Sequence, residues 1–232
     1  VMLRLAPTGK NRFVQALPGT LEATYGGGEA NVCASLAILG AKSRCLTALP
    51  VNPVSNAFAA QLRGLGVDVD RIRYTKQGRM GVYYAEHGAA QRGSNVVYDR
   101  EHSVISESAP EDYDFAAMLE NVGHLHISGI TPALSEKAFH STLAIAKFAS
   151  GHGIRLSCDL NFRRKLWNWE PGTAPKELAR KCMEQIVTFA DIIFGNEEDA
   201  SDIFGIVSEG SSVESGKINI DGYRGTARKL GE

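Results

Sequence analysis

No apolar run in the 232 residues approaches the roughly 18 needed to cross a bilayer as a helix, so no membrane partner is expected. A basic excess is missing too: 25 Lys and Arg stand against 26 Asp and Glu, a net charge of −1. Nucleic-acid binders usually carry such an excess or a basic stripe, so none is expected as partner. The short cluster Arg163-Arg164-Lys165 is the local exception. The opening Val-Met-Leu-Arg-Leu has neither an apolar core segment nor a small-residue cleavage site, so it does not read as a secretory signal. Cysteine is scarce. Cys33, Cys45, Cys158 and Cys182 form no CxxC pair and no zinc spacing, and they sit among apolar neighbours. They read as inert core thiols in a reducing cytoplasm. Among nucleotide signatures, the third glycine of GxGxxG and a Walker A lysine are both absent.

What is present is globular. Hydrophobic residues make up 44% and charged residues 22%, which argues against disorder, collagen and coiled coil. A chain of this size can bury roughly 70% of its surface without disulfides. Strand-like and helix-like stretches alternate. Helices are expected at Glu29–Leu39, at Ser55–Leu65 capped by Ser55, and at Pro110–Val122. Further helices are expected at Ser135–Ser150, Pro175–Ala190 and Glu197–Phe204, with another starting near Asp221. Strands are expected at Ser43–Leu49, His124–Ser128, Ile154–Leu160 and Asp191–Phe194. That rhythm predicts an α/β fold with a mostly parallel sheet between helices. Arg12–Tyr25 and Tyr74–Tyr98 break it. They are rich in Val, Tyr and Phe with glycine turns, and read as antiparallel strands projecting from the main sheet. Ser208–Lys217 is polar and reads as a loop.

Three places could carry chemistry. Tyr25-Gly26-Gly27-Gly28-Glu29-Ala30-Asn31 joins a strand to a helix, where glycines admit a ligand close to the backbone. Glu29 and Asn31 suit hydroxyl groups; a plain tight turn is the alternative. Asp159-Leu160-Asn161-Phe162-Arg163 and Gly195-Asn196-Glu197-Glu198-Asp199 each follow a strand of the parallel set. Open α/β sheets bind ligands beyond such strand ends. Asp159 and Asn196 could equally be helix caps or turn residues. Arg100 and Arg163 could each grip a carboxylate in a bidentate fork, or lie solvated on the surface. Tyr83 and Tyr98 on the projecting strands could cover a sugar or pack the hairpin. His124 and His126 alternate with apolar residues, which suits a strand better than a metal site.

Taken together, the segments MLRLAP (2–7), YGGGEANV (25–32), VYY (82–84), YDR (98–100), HISGITPALS (126–135), DLNFRRKLW (159–167) and NEEDA (196–200) resemble the ribokinase-like, PfkB-type sugar kinases, most closely the 2-keto-3-deoxygluconate kinases. The resemblance implies a single Rossmann-like domain over 1–232 with a small β lid near 10–25 and 74–100, in a cytoplasmic enzyme that moves the ATP γ-phosphate to a sugar hydroxyl. Carried over, Gly27, Gly28, Glu29 and Asn31 would bind substrate hydroxyls. Tyr83 and Tyr98 would cover the sugar acid, and Arg100 and Arg163 would hold its carboxylate. Asn161 and Asn196 would face the nucleotide phosphates, with Asp199 near Mg2+. Asp199 stands where many relatives have Glu. A homodimer through the lid is expected. The family's GAGD-type turn, which supplies the general base and a phosphate cradle, does not occur in the sequence. On that ground the fold is expected to be incomplete at the C-terminus, the first strand shortened, and the 232 residues the substrate-binding part, without appreciable kinase activity alone. Kinases of neutral sugars such as fructose or ribose, and a non-catalytic sugar-acid-binding module, are the rival readings. An oxidoreductase is a weaker third, because Asn31 replaces the third glycine.

Overall fold

The computed structural model describes residues 1–208, 210 and 219–231. The chain falls into two compact units, Val1–Ser108 and Ala109–Glu232. In the first, the order is β1 (Met2–Pro7), α1 (Phe13–Ala16), β2 (Leu21–Gly26), α2 (Gly28–Ile38), β3 (Ala48–Pro50), α3 (Pro53–Gly64), β4 (Arg73–Thr75), β5 (Gly81–Glu86), β6 (Asn95–Asp99) and α4 (Val104–Glu107). The second begins with a 3-10 turn (Pro110–Asp112), then α5 (Phe115–Met118), β7 (His124–Ser128), α6 (Glu136–Gly151) and β8 (Arg155–Asp159). It continues with α7 (Pro175–Val187), β9 (Ile192–Phe194), α8 (Glu197–Phe204) and α9 (Ile220–Gly231).

The first unit holds a four-stranded sheet in the order β2-β1-β5-β6 and a separate parallel pair, β3-β4. In the larger sheet β1 runs parallel to β5, while β1–β2 and β5–β6 are antiparallel. The hairpin expected from Tyr74–Tyr98 is therefore present as β5–β6. The expectation of strand throughout Arg12–Tyr25 is corrected: Phe13–Ala16 is a helical turn. Polar side chains hold it, since the Arg12 N–H donates to Gln15 Oε1 (2.9 Å) and the Phe13 N–H to Glu86 Oε1 (2.8 Å). Below the sheet lies a core of Ala30, Cys45, Leu49, Phe58, Leu62, Val67, Val69 and Met80. The strand expected at Ser43–Leu49 shrinks to Ala48–Pro50. The cap of α3 is Asn52, whose side chain accepts from the Ser55 N–H at 2.8 Å; Ser55 lies inside the helix.

The second unit is a βαβαβ array, parallel in the order β7-β8-β9. Right-handed crossovers put α6 and α7 on one face of it. The burial pattern agrees: Leu125, Ile127, Leu156 and Cys158 point into that side and are buried. Leu178, Cys182, Met183 and Ile186 form the matching stripe on α7, spaced one and two turns apart and all fully buried. Each such aliphatic side chain contributes about 1.5–3 kcal/mol on burial. Burial in this stripe pushes the Cys182 thiol up to about 12, so the thiolate is suppressed. Cys45, Cys158 and Cys182 are buried as expected, whereas Cys33 is only half-buried. The opposite sheet face carries His124 and His126, both hydrogen-bonded to Ser157 Oγ (2.8 and 2.9 Å). Among the described residues no group of three potential metal-ligating side chains converges. The helix expected over Pro110–Val122 is broken: Asp114 leaves helical geometry and caps a new turn by accepting from the Ala117 N–H at 3.0 Å. Of the loop at Ser208–Lys217, residues 209 and 211–217 lie outside the described residues. No helix among the described residues is long and apolar enough to cross a membrane.

Candidate functional site

Two groups of polar residues stand out, one in each unit. In the first unit, direct cross-strand partners share a sheet face. Tyr83 pairs with Tyr98, so both rings stand on the same side, with centroids 5.9 Å apart. The Arg100 guanidinium carbon lies 4.0 Å over the Tyr98 ring. Arg100 is half-buried, and its Nε is buried with no hydrogen-bond partner among the described residues. Burial holds this guanidinium below the usual arginine range, and Tyr98 offsets part of that. A desolvated cation of this kind gains from an anion. Two strands away on β2, Gly26 makes room for Tyr83: a methyl group there would strike the Tyr83 hydroxyl. Burial also raises the Tyr83 hydroxyl, keeping it protonated as a donor. Gly26 closes β2, and Gly27 is the N-cap of α2. The helix thus begins with Gly28 and Glu29, and Asn31 is exposed on its first turn.

In the second unit, a cleft of about 320 Å³ is lined by Asp159, Asn161, Arg163, Gly195, Asn196 and Asp199. The parallel sheet places it there, because Asp159 ends β8 and Gly195 directly follows β9. Gly129 and Gly195 allow the chain at Leu160 to pass: a Cβ on Gly129 would run into the Leu160 carbonyl, and one on Gly195 would lie 2.8 Å from Leu160 Cδ1. Asn161 then takes φ +38°, in the left-handed region, with its Oδ1 buried and without a partner among the described residues. Asn196 caps α8: its Oδ1 accepts from the Asp199 N–H at 2.8 Å, and Asp199 Oδ2 accepts in return from the Asn196 N–H at 3.3 Å. Asp199 Oδ1 also accepts from the Phe162 N–H at 3.0 Å, tying the two strand-end segments together. The helix-cap role weighed for Asn196 is therefore the one the structure displays. A carboxylate has about four acceptor sites, so Asp199 keeps capacity for a further partner.

The sequence-predicted residues thus form two sets. Gly27, Gly28, Glu29, Asn31, Tyr83, Tyr98 and Arg100 belong to the first unit, with the two tyrosines and Arg100 in mutual contact. Asn161, Arg163, Asn196 and Asp199 line one cleft in the second. Sequence reasoning quoted Gly129 and Gly195 within its motifs but gave neither a role of its own. It also assigned no role to Arg4 inside MLRLAP.

A parallel α/β unit with polar strand ends and a mixed sheet presenting tyrosines and an arginine define an α/β protein. Residues 6–218 match the pfkB family carbohydrate kinases, and the chain belongs to that family. It is similar to the crystal structure of 2-dehydro-3-deoxygluconokinase from Thermotoga maritima, with a TM-score of 0.87 and 39% identity, over 99% of this chain and 65% of that one. A 2-dehydro-3-deoxygalactonokinase from Haloferax volcanii is 32% identical over 85% of this chain and 59% of its own length. A 2-dehydro-3-deoxygluconokinase from Thermoproteus tenax is 26% identical over 89% of this chain and 59% of its own. The chain thus spans about three-fifths of the length of these curated relatives. The ribokinase-like fold and the family read from the motifs are both borne out.

Proposed function

We propose that this chain supplies the sugar-acid-binding part of an ATP-dependent kinase acting on 2-keto-3-deoxygluconate (2-dehydro-3-deoxygluconate in the alternative naming). The observation that carries the reading is Arg100, a half-buried guanidinium stacked on Tyr98 with an unpartnered Nε. A neutral sugar can accept a hydrogen bond there but carries no compensating charge, whereas a carboxylate neutralises the guanidinium. Arg100 and Arg163 are proposed as ligands of the carboxylate, Tyr83 and Tyr98 as the cover of the sugar, and Gly27, Gly28, Glu29 and Asn31 as partners of its hydroxyls. The relatives' names support an acid of this class.

For the nucleotide, the second-unit cleft has a fitting donor set. The side-chain amides of Asn161 and Asn196 can donate to phosphate oxygens, while Asp159 and Asp199 supply carboxylate oxygens. The first turn of α8 is acidic at Glu197, Glu198 and Asp199, which by itself repels phosphate. A divalent cation removes that conflict, so Mg2+ accompanying ATP suits these residues. Bound there, Mg2+·ATP supplies the transferable phosphoryl group; the chain's own residues bind and orient it. Replacing Asn161 tests this part. Glycine adopts φ +38° freely, so Asn161→Gly is expected to hold the melting temperature within about 3 °C while weakening Mg2+·ATP binding about tenfold. Equal ATP affinity in both proteins would contradict the assignment.

We also propose a homodimer through the lid, since β2 and β6 are the edge strands of their sheet and β6 is exposed along its length. The function itself is tested by phosphate transfer from ATP across a panel of sugar acids and neutral sugars, with acid binding measured in parallel. Preference for the 2-keto-3-deoxy acids supports the reading. Acid binding without transfer assigns these residues to binding alone. Preference for fructose or ribose contradicts it.

A further inference from the structure

We propose that Arg4 is a specificity-determining residue that recognises the anionic substrate from the same sheet face as Arg100. The inference rests on the reading of the chain as a sugar-acid binder. Arg4 pairs with Thr24 on one side and with Tyr83 on the other, and Tyr83 pairs with Tyr98. Directly paired residues share a face, so Thr24, Arg4, Tyr83 and Tyr98 form one row across all four strands. Gly81, two residues before Tyr83, lies on that face too. A Cβ built on Gly81 would sit 3.2 Å from Arg100 Cβ, so the Arg100 side chain leaves the sheet on this side. Two guanidinium groups therefore belong to the face that bears the tyrosine pair.

Neither forms an ion pair among the described residues. Arg4 Nη1 donates to Thr24 Oγ1 at 3.5 Å, and Nη2 lies 2.7 Å from His87 Nε2. A guanidinium has only donors, so the His87 nitrogen is the acceptor and that ring atom carries no proton. Both partners are neutral. They position the Arg4 charge without cancelling it. Arg79, in the same unit, is instead paired with Asp99. Glu22, the carboxylate nearest in register on this face, forms no ion pair with Arg4. The positive charge of Arg4 also reaches the Tyr83 hydroxyl, where it opposes the effect of burial. A half-buried arginine held in place by neutral groups is set up to meet an anion, at lower ordering cost than a free surface side chain.

The test is a calorimetric titration of the chain and its Arg4→Met and Arg4→Lys variants with two ligands. One is 2-keto-3-deoxygluconate. The other is 3-deoxyfructose, which has a hydroxymethyl group in place of the carboxylate. Arg4→Met is expected to weaken acid binding about tenfold or more and to leave 3-deoxyfructose within about twofold, with Arg4→Lys in between. Circular dichroism and melting curves establish that the variants fold; should Arg4→Met fail to fold, Arg4→Gln takes its place. Unchanged acid binding in the variant overturns the inference and leaves the sugar-acid reading standing. Equal losses for both ligands also overturn it, since they show a role in lid shape. A wild-type chain with no preference for the acid removes the reading and this inference together.

Discussion

Arg100→Met is expected to weaken binding of 2-keto-3-deoxygluconate by about 100-fold, while binding of 3-deoxyfructose changes by less than about threefold. The methionine keeps an apolar stem against Tyr98 and removes only the charge. The large effect follows from the state of the arginine before ligand arrives. Its Nε is already desolvated and unpartnered, and burial disfavours its charge. A carboxylate restores what folding took away, so most of the gain is specific to the acid. Titration calorimetry with both ligands reads the split. A variant that loses both equally would show that Arg100 serves packing of the hairpin instead.

Gly129→Ala is expected to destabilise the second unit by about 3 kcal/mol, a fall in melting temperature of about 6–12 °C. Gly129 follows β7, and its N–H donates to the Asp159 carbonyl at 2.8 Å. The missing side chain leaves space for the Leu160 carbonyl, which a methyl group would strike. Leu160 is fully buried and cannot give way outward. The backbone at Leu160 and Asn161 would have to shift, and the cleft beside it with them. Gly123→Ala is the control, because nothing lies within 4 Å of a Cβ at that position. It is expected to stay within about 0.5 kcal/mol of the parent. Equal melting temperatures for both variants would contradict the packing argument.

These two glycines also mark what a sequence shows and what it hides. Elements with a strong apolar period were legible nearly to the residue: His124–Ser128 and Glu197–Phe204 form as expected. Elements ended by side-chain hydrogen bonds were not. Asp114 divides the expected Pro110–Val122 helix, and Asn52 replaces Ser55 as a cap. Each choice depends on which nearby N–H a short polar side chain reaches, and periodicity carries no record of it. Leu21–Tyr25 forms an antiparallel strand as expected, but Phe13–Ala16 was misread for a similar reason, because Glu86 reaches back to the Phe13 N–H from a distant strand.

The candidate site divides in the same way. Its residue types were legible from the motifs, and the geometry adds two things. Asn196 and Asp199 cap α8 reciprocally, so their place in the cleft is held by the helix itself. Arg4 is brought into the row of Tyr83 and Tyr98 only by strand register, which no local pattern encodes.

The central claim is that these residues bind a sugar acid through its charge. It is tested most directly by calorimetric titration of the unmodified chain with 2-keto-3-deoxygluconate and with fructose. The account predicts saturable binding of the acid, with fructose binding at least about tenfold weaker. Binding of fructose as tight as that of the acid would contradict it.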